Sequence, residues 1–187
     1  MEETTARAGV EFIASAEALK DTLRSGFTAQ GRSEDTASHS WRLCLWLVVF
    51  GDAFDGIDIA HALRMAVIHD LGEAISGDVP ATQQVGSKAT EERADFQTLI
   101  AGLDPVRQAN LLALWDEYEA GETPEAVVVK GLDKIETILQ HTQGDNPPDF
   151  DYGFNLTYGK TRTDQHAVLR QLRQIVDERT QARHRRA

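Results

Sequence analysis

The sequence predicts an all-α fold. Apolar residues recur at helical spacing in successive segments, residues that favour helix N-caps precede several of them, and nothing alternates with period two for long enough to build a sheet. The first helix is expected over roughly residues 9 to 24, where Phe12, Ile13, Ala16, Leu19 and Leu23 make an apolar stripe. The second begins after SEDTAS, whose Ser and Thr offer N-caps, and carries His39, Leu43, Trp46 and Phe50 at steps of four, three and four. Its run LCLWLVVF also suits a central strand, but its length together with SHSWR favours a buried helix. A third helix opens near Asp58 and sets Ile59, Leu63, Ala66 and Asp70 on one face, so a carboxylate ends a line of core positions. Two helices flank GLDP, from about Ser87 to Ile100 and from about Pro105 to Tyr118, the latter turning Leu111, Leu114 and Trp115 inward. TPEA opens a further helix, in which Val128, Leu132, Ile135 and Leu139 form the buried stripe and Asp133 flanks them. The last, from about Thr163 to about residue 183, docks through Val168, Leu169, Leu172, Ile175 and Val176. SGDVPATQQVG and QGDNPPDFDYGFN are rich in turn formers and read as loops.

An apolar share of 41% with 26% charged residues over 187 positions fits one globular domain spanning residues 1–187. No apolar run approaches the roughly eighteen residues that cross a bilayer, and the start MEETTARAGV is acidic where a signal peptide is basic, so a cytoplasmic protein is expected. The single cysteine, Cys44, excludes an internal disulfide and is expected to pack as a small hydrophobe. A formal charge of -11 without a basic stripe argues against long nucleic acids as partners. Residues 160 to 187 hold eight Lys or Arg against three Asp or Glu, which reads as a solvated helix end rather than a nucleic-acid arm.

A histidine or an ionised carboxylate at the edge of a core is costly unless something pairs with it, and a metal ion is a strong partner. Three helices each bring such a residue here: His39, the adjacent pair His69 and Asp70, and Asp133. Two imidazoles and two carboxylates suit a divalent ion and leave positions open on a six-coordinate one. Singly, each residue reads as readily as a structural histidine, a cap or an ion-pair member.

Context comes from SEDTASHSWR, AVIHDLGEAISGDVP and VVKGLDKIETIL, in that order. Together they resemble an HD-domain protein, and more closely the YfbR-like 5'-deoxynucleotidases of the branch with a Leu-Trp-x-Glu-Tyr-Glu segment, here Leu114 to Glu119. The likeness runs over about residues 15 to 145. It implies a helical HD fold in which His39, His69, Asp70 and Asp133 bind one divalent ion, and a reaction that takes phosphate from deoxyribonucleoside 5'-monophosphates. It also implies that Glu73 and Asp78 are catalytic, Glu73 as acid or base and Asp78 with a contact to the sugar, that Arg24 contacts phosphate, that Glu34 is the family's acid upstream of the first histidine, and that relatives are often homodimers. Phe27 stands where relatives carry Trp, and Ser38 replaces the acid before the metal histidine. Both departures fall where the family sorts deoxyribose from ribose.

Each residue also has a plainer reading. Asp78 suits an Asx turn, Arg24 a helix-terminal charge, and Phe27 can cover the sugar or close the core. Lys130, one turn before Asp133, stays unassigned. The donor set tolerates Mn, Co, Fe, Ni, Zn or Mg. An HD hydrolase of another nucleotide or phosphomonoester, and a non-catalytic nucleotide-sensing module, are the rival functions.

Overall fold

A computed structural model describes residues 1–80 and 88–186. Helix α1 (Glu3–Ser15) runs into a 3₁₀ turn (Ala16–Lys20), followed by strands β1 (Leu23–Phe27) and β2 (Ser33–Asp35). Then come α2 (Thr36–Phe50), α3 (Ile59–Ile68), the single turn α4 (Glu73–Ser76), α5 (Lys88–Ile100), α6 (Pro105–Ala120), α7 (Pro124–Gln143), the short α8 (Tyr152–Asn155) and α9 (Lys160–Thr163), and α10 (Ala167–His184). Part of the loop expected after Ser76, residues 81–86, and the expected helix start at Ser87 lie outside the described residues.

Helix α7 is the axis. Fourteen of its twenty residues are buried, as in a helix enclosed on all sides. It packs against α2, α3, α6 and α10. Val128, Val129, Leu132, Ile135 and Ile138 are at most 1% exposed and join Leu43, Leu47, Met65, Phe96 and Leu169 in one core cluster. Gly131 sets the approach of α10, because a Cβ there would drive into the Leu169 side chain. Capping starts α3 and α7 where the sequence indicated, while α2 opens a few residues earlier than expected, on Asp35 instead of a Ser or Thr. Asp35 accepts from the Ser38 N–H at 2.7 Å, Asp58 from His61 at 3.0 Å, and Thr123 from Ala126 at 3.3 Å.

Four expectations are corrected. The first helix does not reach residue 24: the chain leaves it at Asp21, and Arg24 lies on β1 rather than at a helix end. The apolar spacing carries on through Leu23, but tertiary contacts decide the backbone. The Thr22 carbonyl accepts from the Thr36 N–H at 2.9 Å, and β1 pairs antiparallel with β2 in the register Leu23 to Asp35 and Phe27 to Ser33. A small two-stranded sheet therefore exists where none was foreseen. The final helix opens at Ala167, capped by the His166 ring, instead of near Thr163, because the α9 turn ends at Thr163. Along α2 the buried line is His39, Ser40, Leu43 and Leu47, with Trp46 and Phe50 only partly buried and stacked on each other.

Candidate active site

His39 sits one turn into α2, completely buried, and its Nδ1 meets the Glu136 carboxylate of α7. Its Nε2 lies 3.2 Å from Asp133 Oδ1 and 3.7 Å from Asp70 Oδ2. His69 closes the C-terminus of α3, where its Nδ1–H donates to the Ala66 carbonyl at 2.9 Å. A carbonyl only accepts, so Nδ1 is the donor there, and Nε2 is the ring nitrogen turned towards the other groups. That Nε2 is 3.0 Å from Asp70 Oδ2. Both Nε2 atoms are buried without a hydrogen-bond partner, and orphaned polar atoms of this kind are expensive. The donor atoms of His39, His69 and Asp70 lie within 4.8 Å of one another, and Asp133 stands beside His39 on the fourth side. Two imidazole nitrogens and the Asp70 carboxylate gathered in this way fit a divalent cation, and Asp133 stands outside that group of three, next to His39.

The surroundings hold the two carboxylates in the ionised state a cation requires, but favour a proton on His39. Burial works against ionised Asp70, yet His69, then His39 and Arg24, hold its carboxyl well below the usual range. Burial also opposes ionised Asp133, and Lys134 and the two histidines outweigh it; Lys134 Nζ is 2.9 Å from Asp133 Oδ2. Burial and Arg24 act to strip the proton from His39, while Glu136 and Asp133 at its two nitrogens push its pKa up to about 10. A proton thus competes with a cation for the His39 Nε2. The buried Tyr118 hydroxyl, kept protonated by burial and by Asp133, donates to Asp133 Oδ2 at 3.1 Å.

Strand β1 delivers Arg24 to the same place. Its Nη1 donates to Asp70 Oδ2 and its Nη2 to Thr137 Oγ1, each at 3.3 Å, and its Nε is 3.5 Å from Glu34 Oε2. Burial disfavours the guanidinium, but Asp70, Asp78, Asp133 and Glu73 keep it charged. Glu73 opens α4, buried, with Oε2 accepting from the Thr36 hydroxyl at 3.2 Å. Asp78 follows Gly77, whose φ of +81° redirects the chain out of α4.

A cavity of about 400 Å³ joins these residues: Arg24, His69, Asp70, Glu73, Asp78 and Asp133 line it, with Lys134 and Thr137 alongside. His39 closes the floor from behind, fully buried. Phe27, expected to cover the sugar, is not in this wall. It stands at the end of β1, where its carbonyl accepts from Gln140, and Ser25 on the same strand lines the cavity instead. Lys130, unassigned from sequence, pairs with Glu119 at 2.9 Å and lies over the Tyr118 ring.

Sequence reasoning missed Glu136, Tyr118, Lys134 and the far wall of the cavity formed by His141, Phe150, Phe154, Asn155 and Tyr158. Glu136 had a readable signal, a carboxylate one turn beyond Asp133 on an otherwise buried helix face. The aromatic residues had none, because they come from a segment legible only as a turn-rich loop.

The HD domain family matches residues 16–173. The 5'-deoxynucleotidase HDDC2 of Danio rerio is 32% identical over 127 residues, 65% of this chain. The 5'-deoxynucleotidase hdd1 of Schizosaccharomyces pombe is 31% identical over 140 residues, 70% of this chain. The chain spans 62% of the length of the first and 69% of the second. Among solved structures, a predicted metal-dependent phosphohydrolase from Magnetospirillum magnetotacticum superposes with a TM-score of 0.85 at 25% identity, over 98% of this chain and 95% of that one. With the family match covering most of the sequence and the helical architecture shared nearly end to end, this chain belongs to the HD domain family.

Proposed function

We propose that the chain is one domain acting as a metal-dependent phosphomonoesterase, which hydrolyses deoxyribonucleoside 5'-monophosphates to deoxyribonucleosides and phosphate. The observation that carries this reading is the pair of orphaned imidazole nitrogens on His39 and His69, facing Asp70 and Asp133 on the floor of a cavity that also holds Arg24. The 5'-deoxynucleotidase names of the two relatives supply the substrate class.

His39, His69, Asp70 and Asp133 would hold one divalent ion, of which Mn, Co, Fe, Ni, Zn and Mg all suit the donors. When bound, that ion supplies Lewis-acid polarisation of the phosphoryl group and acidifies the attacking water. The remaining work falls to the chain. Arg24 offers two guanidinium N–H groups to phosphate oxygens by exchanging its present contacts with Asp70 and Thr137. Lys134 adds a second cation from α7; burial disfavours its charge, but Asp133 and Tyr158 keep it protonated. Glu73 takes the proton of the attacking water or delivers one to the departing 5'-oxygen. Asp78, on the cavity wall, accepts a hydrogen bond from the sugar hydroxyl.

Phosphate release by purified protein loaded with Mn or Co, measured across deoxyribonucleoside and ribonucleoside 5'-monophosphates and simple aryl phosphates, tests the reading. Deoxyribonucleotides are expected to be the best substrates; equal rates on generic phosphomonoesters would remove the deoxynucleotidase assignment. Glu73→Gln is expected to lower kcat by about 10² to 10⁴-fold while metal content stays the same.

A homodimer belongs to the same reading. In a chain of net charge -11, α2 has no Asp or Glu and exposes Trp41, Leu45, Val48 and Val49, a face on which two copies can meet without repulsion. Sedimentation velocity of the wild type and of Val48→Glu tests it. A cytoplasmic location is the setting we propose, supported by the unpaired Cys44; among the described residues no helix is long and apolar enough to cross a membrane.

A further inference from the structure

The basic C-terminal stretch, expected from sequence to be a solvated helix end, holds one cation that is not in solvent. Arg173 of α10 is only 3% exposed. Its Nε donates to Asp177 Oδ1 at 2.7 Å, one turn along the same helix, which balances a charge that burial alone would penalise. The other two nitrogens reach away from α10: Nη1 donates to the Tyr158 carbonyl at 2.7 Å and Nη2 to the Asn155 carbonyl at 2.8 Å. Both carbonyls belong to the stretch from the end of α8 to the start of α9, and turns this short leave their last carbonyls open. A planar guanidinium holds two of them at once, which the single ammonium of a lysine cannot.

The stretch clamped in this way is pressed onto Lys134. Gly159 follows Tyr158 with a φ of +69°, and a Cβ there would stand 2.7 Å from Cβ and 2.8 Å from Cγ of Lys134, so the backbone rests directly on the lysine stem. The centre of the Tyr158 ring is 5.5 Å from Lys134 Nζ. A lysine on its four-carbon stem has many rotamers, and a wall along the stem removes most of them. Confined on that side, the stem carries its ammonium to Asp133 Oδ2, 2.9 Å away.

We propose that Arg173 is a positioning residue for the active site: by fixing the carbonyls of Asn155 and Tyr158 it packs Gly159 and Tyr158 against Lys134, and so sets that ammonium beside Asp133. The proposal rests on the phosphomonoesterase reading only for what Lys134 does there, as a second cation facing the phosphate. Among the described residues none of α10 lines the cavity, so the last helix acts on the site through this one guanidinium.

Two measurements decide it. The first needs neither metal nor turnover: acylation of Lys134 by an amine-reactive ester in chelator-treated protein, read by peptide mass spectrometry with the exposed Lys20 as internal standard. Arg173→Gln, which releases the clamp, is expected to speed Lys134 labelling by about tenfold and to leave Lys20 unchanged. Asp177→Asn keeps both carbonyl bonds, so it is expected to lower the melting temperature without changing Lys134 labelling, which separates positioning from a general loss of stability. Arg173→Lys keeps a charge beside Asp177 but cannot span both carbonyls; it is expected to speed labelling as well, and it decides the matter if Arg173→Gln does not fold. Equal Lys134 labelling in the wild type and the folded Arg173 variant overturns the proposal and leaves the phosphomonoesterase reading standing. The second is a double-mutant cycle on dAMP. Arg173→Gln alone is expected to lower kcat by about 10- to 100-fold with KM changed by less than about threefold. In a Lys134→Met background the same substitution is expected to cost less than about twofold, and an equal cost in both backgrounds overturns the proposal. Should the wild type hydrolyse no phosphomonoester, the labelling result still decides the placement of Lys134.

Discussion

His39 is held between carboxylates on both sides, Glu136 at Nδ1 and Asp133 at Nε2, and only the second faces the proposed cation. Glu136 is in turn steadied by Arg42, whose Nε is 3.3 Å from Oε1. A carboxylate behind a metal-ligating histidine fixes the ring and raises its basicity. Glu136→Gln keeps the shape and removes the charge, and is expected to weaken divalent-ion affinity by about 10- to 100-fold, read by competition with a chromogenic chelator. Nearby Glu34 gives a pH signature. Burial, then the charge of Glu136, push its pKa from the ordinary 4.5 up to about 7, against Arg24, His39 and Arg42. A carboxyl whose folded pKa is raised contributes stability that is fully present below its unfolded pKa and lost as pH rises through the folded one. Glu34→Gln mimics the protonated form, so in chelator-treated protein its melting temperature should rise relative to wild type above pH 7, and the gain should vanish by pH 5. The clustering of His39, His69 and Asp70, with Asp133 beside His39, was legible because short motifs carry these residues. Lys134 and Tyr118 were not, since their importance comes from what α7 and α6 bring within 3 Å or so of Asp133, whereas Glu136, which meets His39, had a readable place one turn beyond Asp133.

Helix α2 starts where it does because Asp35 caps it. Burial works to raise the Asp35 pKa, but hydrogen bonds from the Ser38 N–H and hydroxyl and from Arg32 hold it below the ordinary range. Asp35→Ala is expected to cost about 0.5–2 kcal/mol in urea unfolding. The wild-type advantage should shrink on acidification, since a depressed carboxyl contributes stability above its unfolded pKa and loses it as pH falls through the folded one. Cap residues of this sort made the starts of α3, α6 and α7 readable in the sequence, whereas α2 opens at Thr36, within SEDTAS instead of after it. The hairpin was not readable. Its backbone follows from the bond between the Thr22 carbonyl and the Thr36 N–H and from pairing with β2, both long-range, while the local spacing at Leu19 and Leu23 still favoured helix. That one error misplaced Arg24, which reaches Asp70 because it is on a strand.

Across the whole molecule, a chain of net charge -11 gathers Glu34, Asp70, Glu73, Asp78, Asp133 and Glu136 around a few cations. A divalent ion that binds only the folded state stabilises it by mass action, about 2.7 kcal/mol at a hundredfold excess over Kd. For a chain of this size, exhaustive chelation is then expected to lower Tm by about 5–10 °C in differential scanning calorimetry, with recovery on adding Mn or Co back. A melting curve indifferent to chelator would argue that the buried histidines and acids form a purely structural network. The all-α architecture was legible from periodicity alone, since nearly every stripe read from sequence runs along an observed helix. The aromatic wall was not, because Phe150, Phe154 and Tyr158 meet the metal-set residues only through the return of the chain across α7.

Asp133, Lys134, Glu136, Thr137 and His141 all ride on one helix whose interior faces neighbours on every side. Their mutual spacing is therefore set by a deeply buried helix, whose amides are expected to exchange slowly with solvent. Asp78, by contrast, is anchored outside that helix, next to a positive-φ glycine. Under the proposed function, gentle warming is expected to blunt the contact of Asp78 with the sugar well before the grip on the cation begins to slacken.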